Sequence, residues 1–287
     1  MNARTIFALV VVYNKTCGDS EACRMLLRAD PPVRAVVFDN SERDFGNREW
    51  CDTRGWAYLG GGGNVGLPKA YNIAISHCLG IDPEGVLCVF DDDGRVSDAF
   101  FGVLRTALLS NEHADILIPI LRNDGRILSP CLLRKDGSSG RFRSEEKLRA
   151  YRGKHLTAVN NALAVRLRVF RDFRYDERLF LDMVDHSFFR EMNRRGRSYI
   201  ILEGTEGHSI SSHEHPSREA AVRRFEIFLR DVRVFLENQA APRAFAVLRR
   251  TARLTVEYRS VVFIRMLFDR KRDQANDSAT GDTKHEI

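Results

Sequence analysis

Residues 86–94 read Val-Leu-Cys-Val-Phe-Asp-Asp-Asp-Gly, and this stretch limits the choice of fold more than any other. Five apolar residues in succession fit a strand covered on both faces. Such a strand cannot hold ionised groups in its middle, because stripping water from a charge costs too much. Its carboxyl end can hold them, and in open α/β sheets ligands settle just outside the carboxyl ends of strands. Asp91, Asp92 and Asp93 crowd three negative charges there. A hard divalent cation such as Mg²⁺ or Mn²⁺, which takes a few carboxylate oxygens together with phosphate oxygens, relieves that crowding. The stretch reads either as a metal–diphosphate site or as an acidic turn that follows a strand.

The segments before it repeat the same design. Residues 5–14 form an apolar run ending on Tyr13 and Asn14; residues 33–38 form a second, ending on Asp39, Asn40 and Ser41; residues 56–59 form a third, ending on glycines and on Asn64-Val65-Gly66. Residues 20–29 and 67–79 carry apolar side chains at helical spacing. Strands alternating with helices at these intervals predict a largely parallel sheet with right-handed crossovers. The polar strand ends then converge on one sheet edge, where a nucleotide would lie.

Beyond Gly94 the pattern predicts a helix over 98–109, a strand over 116–120, a hairpin-like insertion over 127–140, a short strand over 161–165 and a helix over 166–173. A helix is predicted to open at 180–185 and run to Arg195, with Asp182 and Asp185 on one face of its first turn. A strand over 198–202 and a loop with His208, His213 and His215 follow. From residue 216 two long amphipathic helices are expected, the second reaching about residue 268 with Arg243, Arg249, Arg250, Arg253, Arg259 and Arg265 at its polar positions. This basic stripe suits either an anionic membrane surface or a solvated helix face. The polar end, 273–287, is expected to be disordered.

The chain has 287 residues and a formal charge of +6, enough for one large α/β domain with an appendage. Its six cysteines are scattered with no Cys-x-x-Cys pair, which argues for a reduced, cytoplasmic protein rather than a disulfide framework. The apolar run near the start is too short to span a bilayer and lacks a signal-peptide cleavage pattern. No aromatic stacking pattern or reading helix accompanies the basic residues, so nucleic acid is not an expected partner.

Taken in order, the strand ends resemble the family 2 inverting glycosyltransferases of the GT-A fold, in their rhamnosyltransferase-like branch. The matching segments are Val11-Val12-Tyr13-Asn14, Asp39-Asn40-Ser41, Gly63-Asn64-Val65-Gly66-Leu67 with Asn72, Asp91-Asp92-Asp93, Phe180-Leu181-Asp182-Met183-Val184-Asp185, His208, Arg224-Phe225 and Arg230-Asp231. The resemblance spans roughly residues 5–240. It implies a mostly parallel Rossmann-like sheet flanked by helices, with residues 1–215 as the glycosyltransferase domain, 216–272 as a C-terminal helical extension and 273–287 as a tail. It also implies a dTDP- or UDP-sugar donor, a Mg²⁺ or Mn²⁺ ion, and a hydroxyl of a glycan or lipid-linked glycan as acceptor. By the same resemblance Asp93 and Asp91 would meet the metal, with His208 as a further ligand. Asp91 or Asp92 would meet the ribose, and Asp39 the base. Asn40, Tyr13, Asn14, Asn64, Gly66 and Lys69 would line the donor site. An inverting transfer needs one carboxylate to take the acceptor proton. Asp182 is the first choice and Asp185 the second, because Met183 stands where many relatives carry an acid.

Two alternatives compete. Phe90-Asp91-Asp92-Asp93-Gly94 also looks like the nucleophile motif of haloacid dehalogenase-type phosphatases, with Asp91 attacking. That motif sits on a first core strand, and here three strand–helix units come before it. The other alternative is a non-catalytic sugar-binding relative.

Overall fold

The structure is a computed structural model that describes residues 4–30, 32–123, 125–134, 138–153, 155–209 and 217–268, with the side chains of 123 and 203–209 also outside the description. In chain order the strands are β1 (Ile6–Val12), β2 (Arg34–Asp39), β3 (Ala57–Gly60), β4 (Val86–Asp91), β5 (Gly94–Val96), β6 (Ile116–Asn123), β7 (Arg126–Ser129), β8 (Cys131–Leu133), β9 (Ser139–Arg141), β10 (Leu156–Thr157), β11 (Leu163–Arg166) and β12 (Tyr199–Ser209). The helices are α1 (Glu21–Leu26), α2 (Asn47–Asp52), α3 (Leu67–Ile81), α4 (Phe100–Ser110), α5 (Glu145–Ala150), α6 (Val184–Arg194), α7 (Arg218–Phe235) and α8 (Ala240–Glu257).

Among the described residues nine strands make the main sheet, in the order β3-β2-β1-β4-β11-β6-β12-β5 with β7 beside β6; β10-β8-β9 form a small second sheet. β1 to β4 are parallel neighbours, as the alternating pattern predicts, and β6 pairs in parallel with β12. β11 runs antiparallel between β4 and β6, so the sheet is mixed. Every residue of β1 is buried, which is why that strand reads as an unbroken apolar run. α3 lies across one face with Ala70, Tyr71, Ala74, Ile75 and Cys78 buried at helical spacing. All six cysteines are buried and free.

α7 and α8 are packed against this body. Phe225, Phe228, Leu229, Val232 and Phe235 of α7, and Ala246 and Leu254 of α8, belong to the same apolar core as Ile116, Ile118 and Phe188. The Ser217 hydroxyl starts α7 by accepting from the Ala220 N–H. Among the described residues no helix is long and apolar enough to cross a membrane.

Three local expectations are corrected. The segment 166–173 forms only a 3-10 turn, Leu167–Arg171, anchored by the fully buried Arg166. The Arg166 guanidinium donates to the carbonyls of Leu108 in the last turn of α4 and of Asn111 and Ala114 beyond it, so packing fixes this stretch, not helix propensity. The long final helix stops at Glu257, and Arg259 takes a left-handed φ of 47° before helical geometry resumes at 262–268. α6 starts at Val184, because Met183 ahead of it has a left-handed φ of 65°. Asp182 therefore precedes the helix and shares no helical turn with Asp185. The tail 273–287, like His213 and His215, lies outside the described residues.

Candidate active site

Parallel pairing of the first four strands brings their polar ends to one edge. Val12 pairs with Asp39, Val11 with Asp91 and Asp39 with Gly60, so the ends of β1, β2, β3 and β4 lie side by side. Gly60 is required there: at φ +92°, a Cβ on it would stand 2.3 Å from the Asp39 carbonyl oxygen.

On the β2 side the predicted residues form one hydrogen-bonded frame. Asp39 is buried; one carboxylate oxygen accepts the Ser41 N–H at 3.0 Å, and the other accepts Asn47 Nδ2 at 2.9 Å and the Tyr58 hydroxyl at 3.2 Å. Asn40 donates to Asn64 Oδ1 at 2.9 Å and accepts the Val65 N–H at 2.8 Å, and Asn64 Oδ1 also accepts the Gly66 N–H at 3.1 Å. These bonds tie the turn before α3 to the end of β2. Asn14, at φ 50°, bonds through its N–H to Ser41 Oγ and through its side-chain oxygen to the Glu42 N–H. Tyr13 is 43% exposed and donates to Glu42 at 3.0 Å. Lys69 is exposed on the first turn of α3, with no ion-pair partner among the described residues.

The three acids do not share one fate. Asp92 turns back to Lys15 at 3.0 Å, and its carbonyl accepts the Ser20 hydroxyl and the Ala22 N–H, which locks the corner to α1. Asp91 and Asp93 have no cationic partner among the described residues. Burial, then the neighbouring Asp93 and Asp92 carboxylates, pushes Asp91 up to about 7. Burial and Asp92 also raise Asp93. Two unpaired, mutually repelling carboxyls at a strand end, with no thiol among them, are a donor set suited to a hard divalent cation. Among the described residues no group of three or more ligating side chains forms a complete cage. The backbone of His208 pairs with Arg95 and Arg122, while its side chain lies outside the described residues.

The two candidate bases have opposite surroundings. Asp182 is clamped by Arg224 at 2.6 and 3.0 Å, with Arg250 at 3.6 Å. Asp185, on the first turn of α6, has no such partner. Burial, then the Asp91 carboxylate, pushes it up to about 8, opposed by the backbone N–H of Asn160. The buried phenol of Tyr71 lies near both carboxyls and that of Tyr175 near Asp185, and burial holds both phenols far above their usual range. Asn160 faces those phenols, yet its side-chain nitrogen and oxygen are buried without a well-formed hydrogen bond, as are those of neighbouring Asn161. Buried amides left unsatisfied in a ring of titratable groups mark a place built for something more than packing.

Sequence reasoning missed several contributors. Asp231 is fully buried on α7 and accepts the N–H groups of Phe180, Leu181 and Asp182 at 3.0, 2.8 and 2.8 Å. It suspends the loop that presents Asp182 and leads into α6. Its only signal in sequence is the Arg230-Asp231 pair. His186 faces the same region; burial drives it down to about 4, and its Nδ1 lies 2.9 Å from Thr157 Oγ1.

No protein-family model and no curated protein sequence matches the chain. Solved structures do. A mannosyltransferase, PcManGT from Pyrobaculum calidifontis, in complex with GDP-Man and Mn²⁺, superposes with a TM-score of 0.54 at 14% identity, covering 99% of this chain and 82% of that one. S. aureus TarS superposes with a TM-score of 0.51 at 15% identity over 81% of this chain, and a 1–349 form of TarS in complex with UDP-GlcNAc gives 0.51 at 14% over 80%. This is a GT-A-like glycosyltransferase fold. The chain spans 40% of the longer TarS chain and 66% of the shorter one. The phosphatase alternative gains nothing from these matches, and β4 is the fourth strand of the chain rather than a first core strand.

Proposed function

We propose that this chain is an inverting glycosyltransferase that moves a sugar from a nucleoside-diphosphate donor to a hydroxyl of a growing cell-surface glycan. The observation that carries the reading is the meeting of two unpartnered carboxyls, Asp91 at the end of β4 and Asp185 on the first turn of α6, with Asp91 near enough to raise Asp185. The donor would lie along the ends of β1 to β4, with its base near Asp39, Asn40 and Tyr13, and its diphosphate near Asp91, Asp93 and Lys69. Asp91 and Asp93 would hold Mg²⁺ or Mn²⁺, with His208 as a candidate further ligand. Such an ion offsets charge on the leaving diphosphate. The bound Mn²⁺ of PcManGT and the nucleotide-sugars of both neighbours fit this arrangement.

The base is assigned to Asp185 in preference to Asp182. The oxygens of Asp182 are already engaged by Arg224 and Arg250, whereas Asp185 has no cationic partner and is raised by burial, which strengthens its hold on a proton. Once ionised by loss of its own proton to water, Asp185 would take the acceptor proton as the hydroxyl attacks the anomeric carbon and the nucleoside diphosphate leaves. Asp182 would hold the α7 and α8 arginines in place. The donor sugar would be rhamnose, galactofuranose or a hexose. The protein would work at the cytoplasmic face of a membrane, touching it through exposed Phe245, Leu248, Val256, Val261 and Phe268 among the arginines of the last helices.

The test is a donor screen. The chain is incubated with UDP-, dTDP- and GDP-sugars and Mn²⁺, and nucleoside diphosphate release is followed with and without chelator. Metal-dependent release from one donor class supports the proposal. Binding without turnover over all acceptors favours the non-catalytic relative, and phosphate release from small phosphoesters alone favours a phosphatase.

A further inference from the structure

A cavity of about 600 Å³ opens beside Asp185, which lines it. Its walls are the small second sheet, the start of α6, and one face each of α7 and α8. None of the donor-side residues Asp39, Asn64, Asp91 or Asp93 lines it. Four arginines do: Arg224, Arg249, Arg250 and Arg253. The acids lining the same cavity are Asp182 and Asp185, and the other titratable groups are His186 and Cys131. Arg224 and Arg250 share Asp182. Arg249 and Arg253 are exposed and have no acidic partner among the described residues.

This arrangement opposes helix stability. Arg249 and Arg253 are four apart on α8, and Arg250 and Arg253 are three apart, so they sit as neighbours on one face. Like charges at those spacings destabilise a helix. Arg250 is further constrained: it stacks 4.2 Å from the Phe228 ring, and its Nε is buried with no hydrogen-bond partner. One carboxylate, Asp182, cannot satisfy four guanidiniums. An oxyanion can relieve the remainder, and the guanidinium fork matches phosphate oxygens in particular. Because Asp185 lines this cavity, a group bound there stands on the acceptor side of the base.

We propose that this cavity receives a phosphate-bearing acceptor, with Arg249 and Arg253 gripping its phosphate and Arg250 shared between that phosphate and Asp182. The word acceptor rests on the glycosyltransferase reading; the anion site itself rests on the arginines. The phosphate belongs either to a lipid carrier or to the glycan itself.

The test uses the full chain saturated with Mn²⁺ and with whichever of UDP, dTDP or GDP it binds. Glucose 1-phosphate, farnesyl phosphate and uncharged glucose are titrated by calorimetry into the wild type, R249A/R253A and R249K/R253K. The expected result is binding of both phosphates but not glucose, about tenfold weaker in R249A/R253A, partly restored in R249K/R253K and reduced by added salt. Arginine-dependent farnesyl phosphate binding well above that of glucose 1-phosphate identifies a lipid phosphate; equal affinities identify a phosphate within the glycan. Phosphate affinity unchanged in R249A/R253A, or absent in the wild type, overturns the inference while normal nucleotide binding leaves the glycosyltransferase reading standing. Failure of every nucleotide to bind overturns the glycosyltransferase reading, and the arginine dependence of phosphate binding then still decides the anion site.

Discussion

Replacing Asp185 by asparagine is expected to make the metal-free protein more stable and, at the same time, inactive. Burial and the nearby Asp91 carboxylate lift Asp185 from 3.8 to about 8. In the unfolded chain the carboxyl is ionised at pH 7, whereas in the folded one it keeps its proton. A gap of about three pH units between 3.8 and 7, at 1.36 kcal/mol each, comes to about 4 kcal/mol against folding. Relaxation of the half-buried site lowers this, so the expected gain for Asp185→Asn is ~2–4 kcal/mol at pH 7. The sign follows from proton counting. The folded state binds more protons than the unfolded state between about pH 4 and about pH 8, so wild-type stability falls as pH rises through that window. The assay is urea denaturation of both proteins in EDTA at pH 4, 6 and 8. The difference should be small at pH 4 and largest at pH 8. Sugar transfer should drop by about 10²–10⁴-fold with nucleotide affinity kept. A variant less stable than wild type at pH 8, or a gap independent of pH, would refute the placement of Asp185 as an unpaired buried carboxyl.

Two further substitutions probe the supports of the site. Asp231→Asn keeps one acceptor oxygen and turns an amide NH₂ toward the N–H groups of Phe180, Leu181 and Asp182; it should cost about 2–4 kcal/mol in urea denaturation, and a loss below about 0.5 kcal/mol would remove Asp231 as the anchor of that loop. Gly66→Ala would place a Cβ 2.7 Å from the Phe180 ring at a φ of +81°; a loss of about 2 kcal/mol or more and weaker nucleotide binding are expected, and near-wild-type melting would contradict the close approach of α3 to the 180–182 loop.

The donor side was legible because its signals are local. An apolar run that stops on polar residues reads as a buried strand with a polar mouth, and β1, β2 and β4 all announce themselves this way. Parallel pairing then aligns the mouths without further information. The rest of the site was not legible, because it depends on contacts between distant segments. Lys15 claims Asp92, 77 positions further along the chain, a contact that no spacing rule reveals.

 Met183 adopts a left-handed backbone that pushes Asp182 out of α6, and this follows from the grip of Asp231 on the preceding N–H groups, not from helix propensity. The arginine stripe of α8 reads as a single basic face in sequence. In the fold Arg249, Arg250 and Arg253 turn to a cavity, whereas Arg243 lines an apolar groove with Leu229 and Leu267. Which side of an amphipathic helix meets which partner is decided by tertiary packing, and periodicity alone carries no record of it.

The central claim is that Asp91 and Asp93 form the metal-dependent end of a nucleotide-sugar site. Calorimetric titration of the nucleoside diphosphate picked out by the donor screen, into wild type and Asp93→Ala, with Mn²⁺ and then with EDTA, tests it most directly. The account predicts Mn²⁺-dependent binding by the wild type and a loss of at least about tenfold in the variant, with its fold intact by circular dichroism. Equal affinity in the two proteins, or binding indifferent to the chelator, would contradict it.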